Sequence, residues 1–306
     1  MYSAPPELMT TVFAQVPPHI EISNRRSDWL DGRLHGAPTS FLEGPSFDRE
    51  GNLYCTDIPY GRVLRITPQG EFSVIVEYDG EPNGLKIHKD GRIFVADQKN
   101  GIMLVDPVNG SIRPFLSRVN LERVKGPNDL VFARNGDLYF TDQGQSGWQD
   151  PTGRVICVRA NGTVEVVLDG IPSPNGIVFN PDESILFVAV TRANAVWRIP
   201  RTRSGITSKV GTFIQMSGGG GPDGLAMDDN GNLAVAHAGL GSVWIFSNIG
   251  EPMYRIRSCT SGKMTTNLAY GGPDHRSLFI TESATGSILR AELPVSGCTM
   301  YSHSLG

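Results

Sequence analysis

Several features that would place this chain in a common functional class are missing from its sequence. No apolar run approaches the ~18 residues that a membrane-spanning helix needs. No cluster of Lys and Arg forms the basic patch typical of nucleic-acid binding, and the net charge of the 306 residues is -4. We therefore expect neither nucleic acid nor a membrane as a partner.

Cysteine is scarce, and its four residues are far apart in the sequence: Cys55, Cys157, Cys259 and Cys298. None has the spacing of a metal site, so we interpret them as free thiols in a reducing compartment. The N-terminal stretch MYSAPPELMTTVFAQVPPHIEIS lacks a charged start followed by a long apolar segment. We expect no secretory signal in it, and a cytoplasmic protein.

Short catalytic motifs are missing as well. The sequence has no G-x-S-x-G elbow and no H-E-x-x-H pair. The glycine-rich stretch GGGGPDG, residues 218–224, lacks the Lys-Ser/Thr of a phosphate-binding loop and precedes an apolar strand rather than a helix. Any chemistry must therefore come from residues that are distant in the sequence.

Glycine and proline are abundant instead, with 36 and 21 residues. This composition is typical of turn-rich, all-β proteins. Apolar and polar residues alternate in short runs such as GRVLRIT and GSVWIFS, as in strands, and no stretch of useful length has the period of a helix.

One pattern is repeated six times: a polar residue, a short apolar strand, a turn and a second apolar strand. The copies are EGPSFDREGNLYCTD, PNGLKIHKDGRIFVAD, PNDLVFARNGDLYFTD, PNGIVFNPDESILFVAV, PDGLAMDDNGNLAVAH and TNLAYGGPDHRSLFITE. We define position zero as the first polar residue of each copy: Glu43, Asn83, Asn128, Asn175, Asp223 and Asn267. Eight residues later, four copies carry a turn glycine and the others carry Glu183 and His275.

These copies are 40 to 48 residues apart, which is the period of a propeller blade with about four strands. We predict an all-β, six-bladed β-propeller with four antiparallel strands per blade, as a single domain over residues 1–306. Residues 9–16 are expected to close the ring as the outer strand of the last blade, and the tail GCTMYSHS is the competing candidate. Residues 24–41 are interpreted as a loop insertion before the first blade.

Propeller geometry indicates where the six position-zero residues lie. The first strand of each blade is innermost, so these residues should converge at one mouth of the central channel. Two carboxylates this close raise each other's pKa unless a cation lies between them. Oxygen ligands with two negative charges favour Ca²⁺ over Mg²⁺, Mn²⁺ or Zn²⁺. The alternative is that each Asn or Asp binds its own backbone in a turn.

The second strand of each blade ends on the same face, further from the axis. Asp57, Asp97 and Asp142 recur there and are expected to hold turns by hydrogen bonds. His237 interrupts this pattern, either as a structural histidine or as a substrate contact. Trp148 lies in a long connection on this face, so it could form a wall or lid, as could the 24–41 insertion with Trp29 and His35.

Three segments carry a family resemblance: KGPNDLVFARNGDLYFTDQG, SPNGIVFNPDESILFVA and GGPDGLAMDDNGNLAVAHAGLGSVWIF. They resemble the gluconolactonase / senescence marker protein (regucalcin-like) family over about residues 41–293. The resemblance implies a six-bladed propeller with one catalytic divalent metal, commonly calcium, in the channel mouth. Its members mostly hydrolyse lactones.

Matched motif by motif, the resemblance implies four metal ligands in this chain: Glu43, Asn128, Asn175 and Asp223. Asp223 is then the catalytic carboxylate, as base or nucleophile, while Glu43 fixes the metal and balances its charge. The remaining residues Asn83, Asn267 and Asp129 become candidates for contacts with substrate or for support of the ligands. Asn128 is a candidate for contact with substrate as well as a metal ligand.

The sequence therefore predicts a Ca²⁺-dependent hydrolase that opens a lactone ring. Two alternatives stay open. One is a phosphotriester hydrolase of the diisopropyl-fluorophosphatase kind that uses the same site. The other is a propeller that binds calcium or a ligand without catalysis.

Overall fold

Short strands and tight turns alternate along the chain in the computed structural model, which describes residues 4–23, 25–31, 38–202 and 209–304. Two strands precede the first blade, β1 (Glu7–Met9) and β2 (Thr11–Gln15). The next strands form blades one and two: β3 (Leu42–Phe47), β4 (Leu53–Asp57), β5 (Arg62–Ile66), β6 (Phe72–Glu77), β7 (Pro82–Ile87), β8 (Ile93–Asp97), β9 (Gly101–Val105) and β10 (Ile112–Leu116). A small hairpin, β11 (Arg118–Val119) and β12 (Glu122–Arg123), leads into blade three.

Blades three to six follow with the same order of strands. They comprise β13 (Pro127–Phe132), β14 (Leu138–Asp142), β15 (Gly153–Val158), β16 (Val164–Ile171), β17 (Pro174–Phe179), β18 (Ile185–Val190), β19 (Ala195–Pro200), β20 (Gly211–Gln215), β21 (Gly221–Met227), β22 (Leu233–Ala238), β23 (Ser242–Phe246), β24 (Pro252–Arg257), β25 (Thr265–Gly271), β26 (Ser277–Glu282) and β27 (Ser287–Glu292). Short 3-10 turns occur at Asp28–Leu30, Ile58–Tyr60, Thr191–Ala193 and Tyr301–His303. The predicted six-bladed propeller is confirmed.

The N-terminal strand closes the ring as predicted. β2 pairs antiparallel with β27, with Thr11 opposite Arg290 and Gln15 opposite Ser287. The competing tail segment is not a blade strand; it makes an isolated bridge between Gly297 and Asp228 before its 3-10 turn. β1 was not foreseen: it adds a fifth, parallel strand to blade five beside β24.

The core consists of six apolar clusters, each between two neighbouring blades. Between blades one and two, for example, Val63 packs in one cluster with Leu85 and Val95, all with no exposed surface. Burial of each such side chain contributes about 1.5–3 kcal/mol. Because each sheet is covered on both faces by other blades, the blades stack around the channel and hold their inner strands in fixed positions.

The predicted turn residues all have the left-handed backbone conformation. Gly231, for example, has a φ of 79°. Glu183 and His275 adopt φ values of 57° and 55°, although their side chains disfavour this region. The six hairpins therefore turn in the same way, which explains why the repeat is visible in the sequence.

Each inner strand carries a β-bulge where it enters the channel. The pairing with the second strand shifts register within these segments: Glu43/Ser46, Pro82/Leu85, Pro127/Leu130, Pro174/Ile177, Pro222/Leu225 and Thr265/Asn267. Bulges re-aim side chains and are frequent beside functional sites. Here they lie at position zero in all six blades.

The sixth blade corrects the predicted alignment by one residue. Thr265 pairs with Glu282 as Pro82 pairs with Asp97, so Thr266, not Asn267, occupies position zero. The hairpin of this blade is longer, because Gly271 also pairs with Ser277. The prediction set position zero eight residues before the turn residue, which in this longer hairpin gives Asn267. In the structure Asn267 lies one residue further from the mouth, after Thr266.

The predicted 24–41 insertion is only partly described. Trp29, on the first 3-10 turn, lies with its ring 5.0 Å from that of Phe41. Asn24 and residues 32–37, which include His35, lie outside the described residues. No helix in the described part of the chain is long and apolar enough to cross a membrane.

Candidate functional site

Five oxygen-bearing side chains approach one another at the channel mouth where the inner strands begin. Neighbouring inner strands contact each other around the axis. Four of the side chains are buried and Asp223 is half-buried; the other four are Glu43, Asn83, Asn128 and Asn175. We call these five residues the oxygen ring.

Three carbonyl oxygens of the oxygen ring have no partner. The Oδ1 atoms of Asn83, Asn128 and Asn175 are buried and accept no hydrogen bond. An unsatisfied buried acceptor costs about 1–3 kcal/mol, so three at one site need an explanation. A bound cation provides one, because it would accept electron density from all three oxygens.

The two carboxylates of the oxygen ring are destabilised in their charged forms. Burial raises the pKa of Glu43 to about 7, and the charge of Asp129 adds to this, although a hydrogen bond from Asn267 opposes it. Burial, followed by the charges of Glu43 and Asp129, raises the pKa of Asp223 well above its ordinary value. A divalent cation at the ring would remove this penalty.

A second polar layer lies directly behind the ring. Asn267 Nδ2 donates to Glu43 Oε2 at 2.9 Å and to Asp129 Oδ2 at 3.3 Å, while Asn267 Oδ1 accepts from the backbone N–H of Leu268. Lys86 Nζ lies 3.8 Å from Asp129 Oδ1. Asn267 therefore links the carboxylates of Glu43 and Asp129, and Lys86 places a positive charge next to Asp129.

Small residues make this close approach possible. A Cβ atom on Gly84 would lie 2.5 Å from Asp129 Oδ1, and one on Gly224 would lie 2.2 Å from Asn267 Oδ1. A Cβ on Gly176 would lie 2.3 Å from the carbonyl oxygen of Asp223. The glycine that follows position zero in these copies thus lets the next inner strand come within contact of the ring.

Gln143 is a site residue that the sequence reasoning missed. Its Oε1 accepts a hydrogen bond of 2.9 Å from Asn128 Nδ2. Gln143 Nε2 in turn donates to Ser173 Oγ at 2.9 Å. No sequence signal pairs residues 128 and 143, because Asn128 lies in β13 and Gln143 follows β14, and the two side chains meet only in the folded blade.

The carboxylates at the rim accept backbone N–H groups: Asp97 holds its following turn, as predicted, whereas Asp57 and Asp142 hold the segment that precedes the inner strand of their blade. Asp57 accepts from the N–H of Phe41, and Asp142 accepts from Lys125 and Gly126. Asp97 accepts from two N–H groups of its following turn. Asp57 also pairs with the buried Arg62, and Asp142 pairs with the partly buried Arg154. These residues therefore stabilise the mouth and are already satisfied.

His237 and Trp148 remain predictions as substrate contacts. His237 is buried, its Nε2 lies 2.9 Å from the carbonyl oxygen of Gly218, and burial lowers its pKa. The glycine run covers it, since a Cβ on Gly219 would lie 3.0 Å from that nitrogen. The geometry favours a structural histidine. Trp148 is 68% exposed and forms no closed wall in this conformation.

The opposite end of the channel differs from the oxygen ring. A cavity of about 700 Å³ opens there, lined by apolar residues such as Val131, Val178 and Phe179 and by the C-terminal segment at Met300 and Tyr301. No residue of the oxygen ring lines it. The size of this cavity therefore does not identify the functional end of the channel. The unpartnered oxygens and the destabilised carboxylates identify the end with the oxygen ring.

The oxygen ring fits a hard divalent cation. Among the described residues, no group of three or more His, Cys, Asp or Glu side chains is arranged to hold a metal. The ring instead combines two carboxylates with neutral amide oxygens, which are ligands that Ca²⁺ accepts. Glu43, Asn128, Asn175 and Asp223 are the four residues implied by the family resemblance, and Asn83 contributes a third unpartnered amide oxygen.

Comparison with known proteins gives relatives over most of the chain. Lactonase drp35 of Staphylococcus aureus (strain MRSA252) is 34% identical over 240 residues, which cover 74% of this chain and 72% of the relative. Lactonase drp35 of Staphylococcus epidermidis is 34% identical over 228 residues, which cover 70% of this chain and 69% of the relative.

Solved structures share the fold. A gluconolactonase from Xanthomonas campestris has a TM-score of 0.75 at 22% identity, with 92% of this chain and 100% of the other covered. The calcium-binding protein regucalcin from Agrobacterium tumefaciens has a TM-score of 0.75 at 24% identity, with 88% and 95% covered. The family model described as SMP-30/Gluconolactonase/LRE-like region matches residues 41–284. Since this match covers well over half of the sequence, the chain belongs to the SMP-30/gluconolactonase/LRE-like family.

Proposed function

We propose that the protein is a metal-dependent hydrolase that opens a lactone ring, with Ca²⁺ as its cofactor. The observation that carries this proposal is the set of three unpartnered amide oxygens beside two carboxylates, Glu43 and Asp223, whose charged forms are destabilised. The substrate class rests on the relatives named lactonase drp35. The cofactor rests on the ligand chemistry of the oxygen ring and on its regucalcin neighbour.

In this proposal Glu43, Asn128, Asn175 and Asp223 hold the ion, and Asn83 faces it or the substrate. When bound, the cation supplies Lewis acidity for the carbonyl oxygen of the ester. The amide ligands add no negative charge, so they keep the site electrophilic. Glu43 stays in place because its Oε2 accepts from both the Gly44 N–H and Asn267.

Asp223 takes the proton of the attacking water in this mechanism. Water attacks the carbonyl carbon of the lactone, and its proton moves to the Asp223 carboxylate. The ring C–O bond then breaks, and the alkoxide oxygen that leaves takes up the proton held by Asp223, which gives the hydroxy acid and restores the carboxylate. The neighbouring amide of Asn175 opposes the rise in the pKa of Asp223. Direct attack by Asp223 is the alternative route to the same product.

The test uses two isosteric variants that remove charge, Asp223→Asn and Glu43→Gln. We expect each to lower kcat/KM for lactone hydrolysis by about 10³-fold or more while the circular dichroism spectrum is unchanged. The matched controls are Asp169→Asn and Glu50→Gln, two exposed carboxylates. Chelator should abolish activity, and added Ca²⁺ should restore it.

Several outcomes would contradict the proposal. Full activity of either variant, or full activity in strong chelator, excludes the assigned site. Turnover of phosphotriesters without turnover of any lactone favours the phosphotriesterase alternative. Calcium binding by calorimetry without turnover of a broad lactone panel favours a binding protein.

A further inference from the structure

We infer that Gln143 is a positioning residue that fixes the orientation of the Asn128 amide, so that its carbonyl oxygen faces the oxygen ring. The inference rests on the proposed function only in naming calcium as the ion. Its structural basis is the hydrogen bond from Asn128 Nδ2 to Gln143 Oε1, together with the unpartnered Oδ1 of the same amide.

The orientation of an amide decides whether it can bind a cation. One end of the Asn side chain is an acceptor and the other end carries two N–H donors, and the two ends have nearly the same shape. Rotation of the terminal torsion by a half turn would present the donors of Asn128 to the cation. An acceptor fixed behind the ring prevents this rotation, since only the N–H end can bind it.

Gln143 is also an amide, so its own orientation must be fixed. Its Nε2 donates to Ser173 Oγ, which leaves Oε1 as the atom that faces Asn128. Ser146 links the two loops, because its Oγ donates to the Gln143 carbonyl at 2.6 Å and accepts from the Ser173 N–H at 3.1 Å. The three residues form a closed circuit of hydrogen bonds, and both serines are buried.

The backbone of Ser173 adopts an unfavourable conformation at this circuit of hydrogen bonds. Its φ is 66°, in the left-handed region that glycine adopts more easily. Two residues before position zero, blades three and five carry Gly126 and Gly221, with φ values of 148° and 110°. Blade four has a serine at the corresponding place. Only the serine provides the hydroxyl that Gln143 uses.

Blade six provides an internal comparison for this contact. Ser283 follows the second strand of blade six as Gln143 follows that of blade three, and its Oγ lies 3.0 Å from the hydroxyl of Thr266 at position zero. Ser283 Oγ and Thr266 Oγ1 both donate to the carbonyl oxygen of Leu42. The residue after the second strand thus contacts the position-zero side chain in both blades.

The experiment compares calcium affinity, measured by isothermal titration calorimetry, in the parent and in four variants. Gln143→Met keeps the length but removes the acceptor, and we expect about 10–100-fold weaker binding. Gln143→Glu keeps an acceptor for Asn128 and can accept from Ser173 Oγ, so it should bind calcium at least as tightly as the parent. Gln145→Met, on the exposed side of the same loop, should equal the parent.

Ser173→Gly separates positioning from stability. Glycine relieves the left-handed backbone and removes the hydroxyl, so thermal stability should be kept or raised while calcium affinity falls. This variant also keeps the inference testable if Gln143→Met fails to fold. Parental affinity in both Gln143→Met and Ser173→Gly, or equal losses in Gln143→Met and Gln143→Glu, would overturn the inference.

A metal-free measurement distinguishes this inference from the proposed function. The side-chain amide protons of Asn128 should exchange slowly with solvent by NMR in the parent and in Gln143→Glu, and rapidly in Gln143→Met. Fast exchange in the parent would refute the inference directly. If the exchange pattern is as expected but the parent binds no calcium, the positioning role stands and the proposed function fails.

Discussion

Blades three and six face each other across the channel and use the same backbone pattern for different purposes. In blade three the Thr141 hydroxyl accepts from the N–H of Asp129, and Asp129 accepts from the N–H of the next residue. In blade six Thr281 and Asn267 repeat both bonds at almost the same distances. The two blades therefore share one scaffold for a polar residue directly behind the oxygen ring.

The two blades differ at position zero. Asn128 has a buried oxygen without a partner, whereas the hydroxyl of Thr266 is satisfied because it donates to the carbonyl of Leu42. Blade six also holds a neutral amide, Asn267, where blade three holds the carboxylate of Asp129. Blade three thus supplies a candidate ligand, and blade six supplies the hydrogen bond that orients Glu43. The same local geometry serves binding in one blade and support in the other.

Among the changes that test this comparison of blades, the largest loss of activity is expected when Asn128 of blade three is replaced by threonine, the residue at position zero of blade six. Asn128→Thr removes the amide oxygen and offers a shorter hydroxyl, so lactone hydrolysis should fall about a hundredfold. Thr266→Ser, which keeps the hydroxyl at the equivalent place, is the control and should stay near parental activity. The measurement is kcat/KM with saturating calcium. Equal activities of Asn128→Thr and the parent would show that position zero of blade three is not a ligand.

A smaller effect tests the contact between neighbouring inner strands. Gly224→Ala places a Cβ 2.2 Å from Oδ1 and 2.6 Å from Cα of Asn267, which requires the strands to separate. We expect the free energy of unfolding to fall by about 2 kcal/mol, measured by chemical denaturation in chelator. Gly211→Ala is the matched control, since its added Cβ meets no atom within 4 Å. A Gly224→Ala protein as stable as this control would contradict the close packing behind the ring.

The smallest effect is expected from loss of the Ser283 hydroxyl in blade six. Ser283→Ala removes the bond of 2.6 Å to the Leu42 carbonyl and the contact with Thr266. The free energy of unfolding should fall by about 1 kcal/mol, with calcium affinity unchanged. The calcium affinity of Ser283→Ala is measured by isothermal titration calorimetry and compared with that of Gln143→Met. If Ser283→Ala weakened calcium binding as strongly as Gln143→Met, blade six would take part in the ion site, contrary to the difference drawn above.

Much of the fold was accessible from the sequence because the repeat has strong local signals. Turn residues, apolar alternation and the spacing of the copies predicted six blades and a closing strand within residues 9–16, which the structure forms at Thr11–Gln15. The site residues Glu43, Asn83, Asn128, Asn175 and Asp223 were selected by the same repeat. Their proximity in the structure agrees with that selection, and their roles stay predictions, as does the single domain over residues 1–306.

The missed features depend on contacts between distant residues. The one-residue offset of Asn267 follows from an extra pair in its hairpin, Gly271 with Ser277, which the spacing of the turn does not reveal. The role of Lys86 beside Asp129 requires two blades to meet. β1 pairs with β24 almost 250 residues later in the chain, and no local pattern predicts such a pairing.

The sequence by itself determined how many blades the protein has and selected the five residues of the oxygen ring, because turn geometry and strand period are local properties of the chain. The tertiary structure decided which atom of each side chain faces the ring. Asn128 and Thr266 have the same place in the repeat, yet one presents its oxygen to the ring and the other donates to a backbone carbonyl. That choice depends on partners such as Gln143 and Ser283, which only the folded chain brings into hydrogen-bond distance.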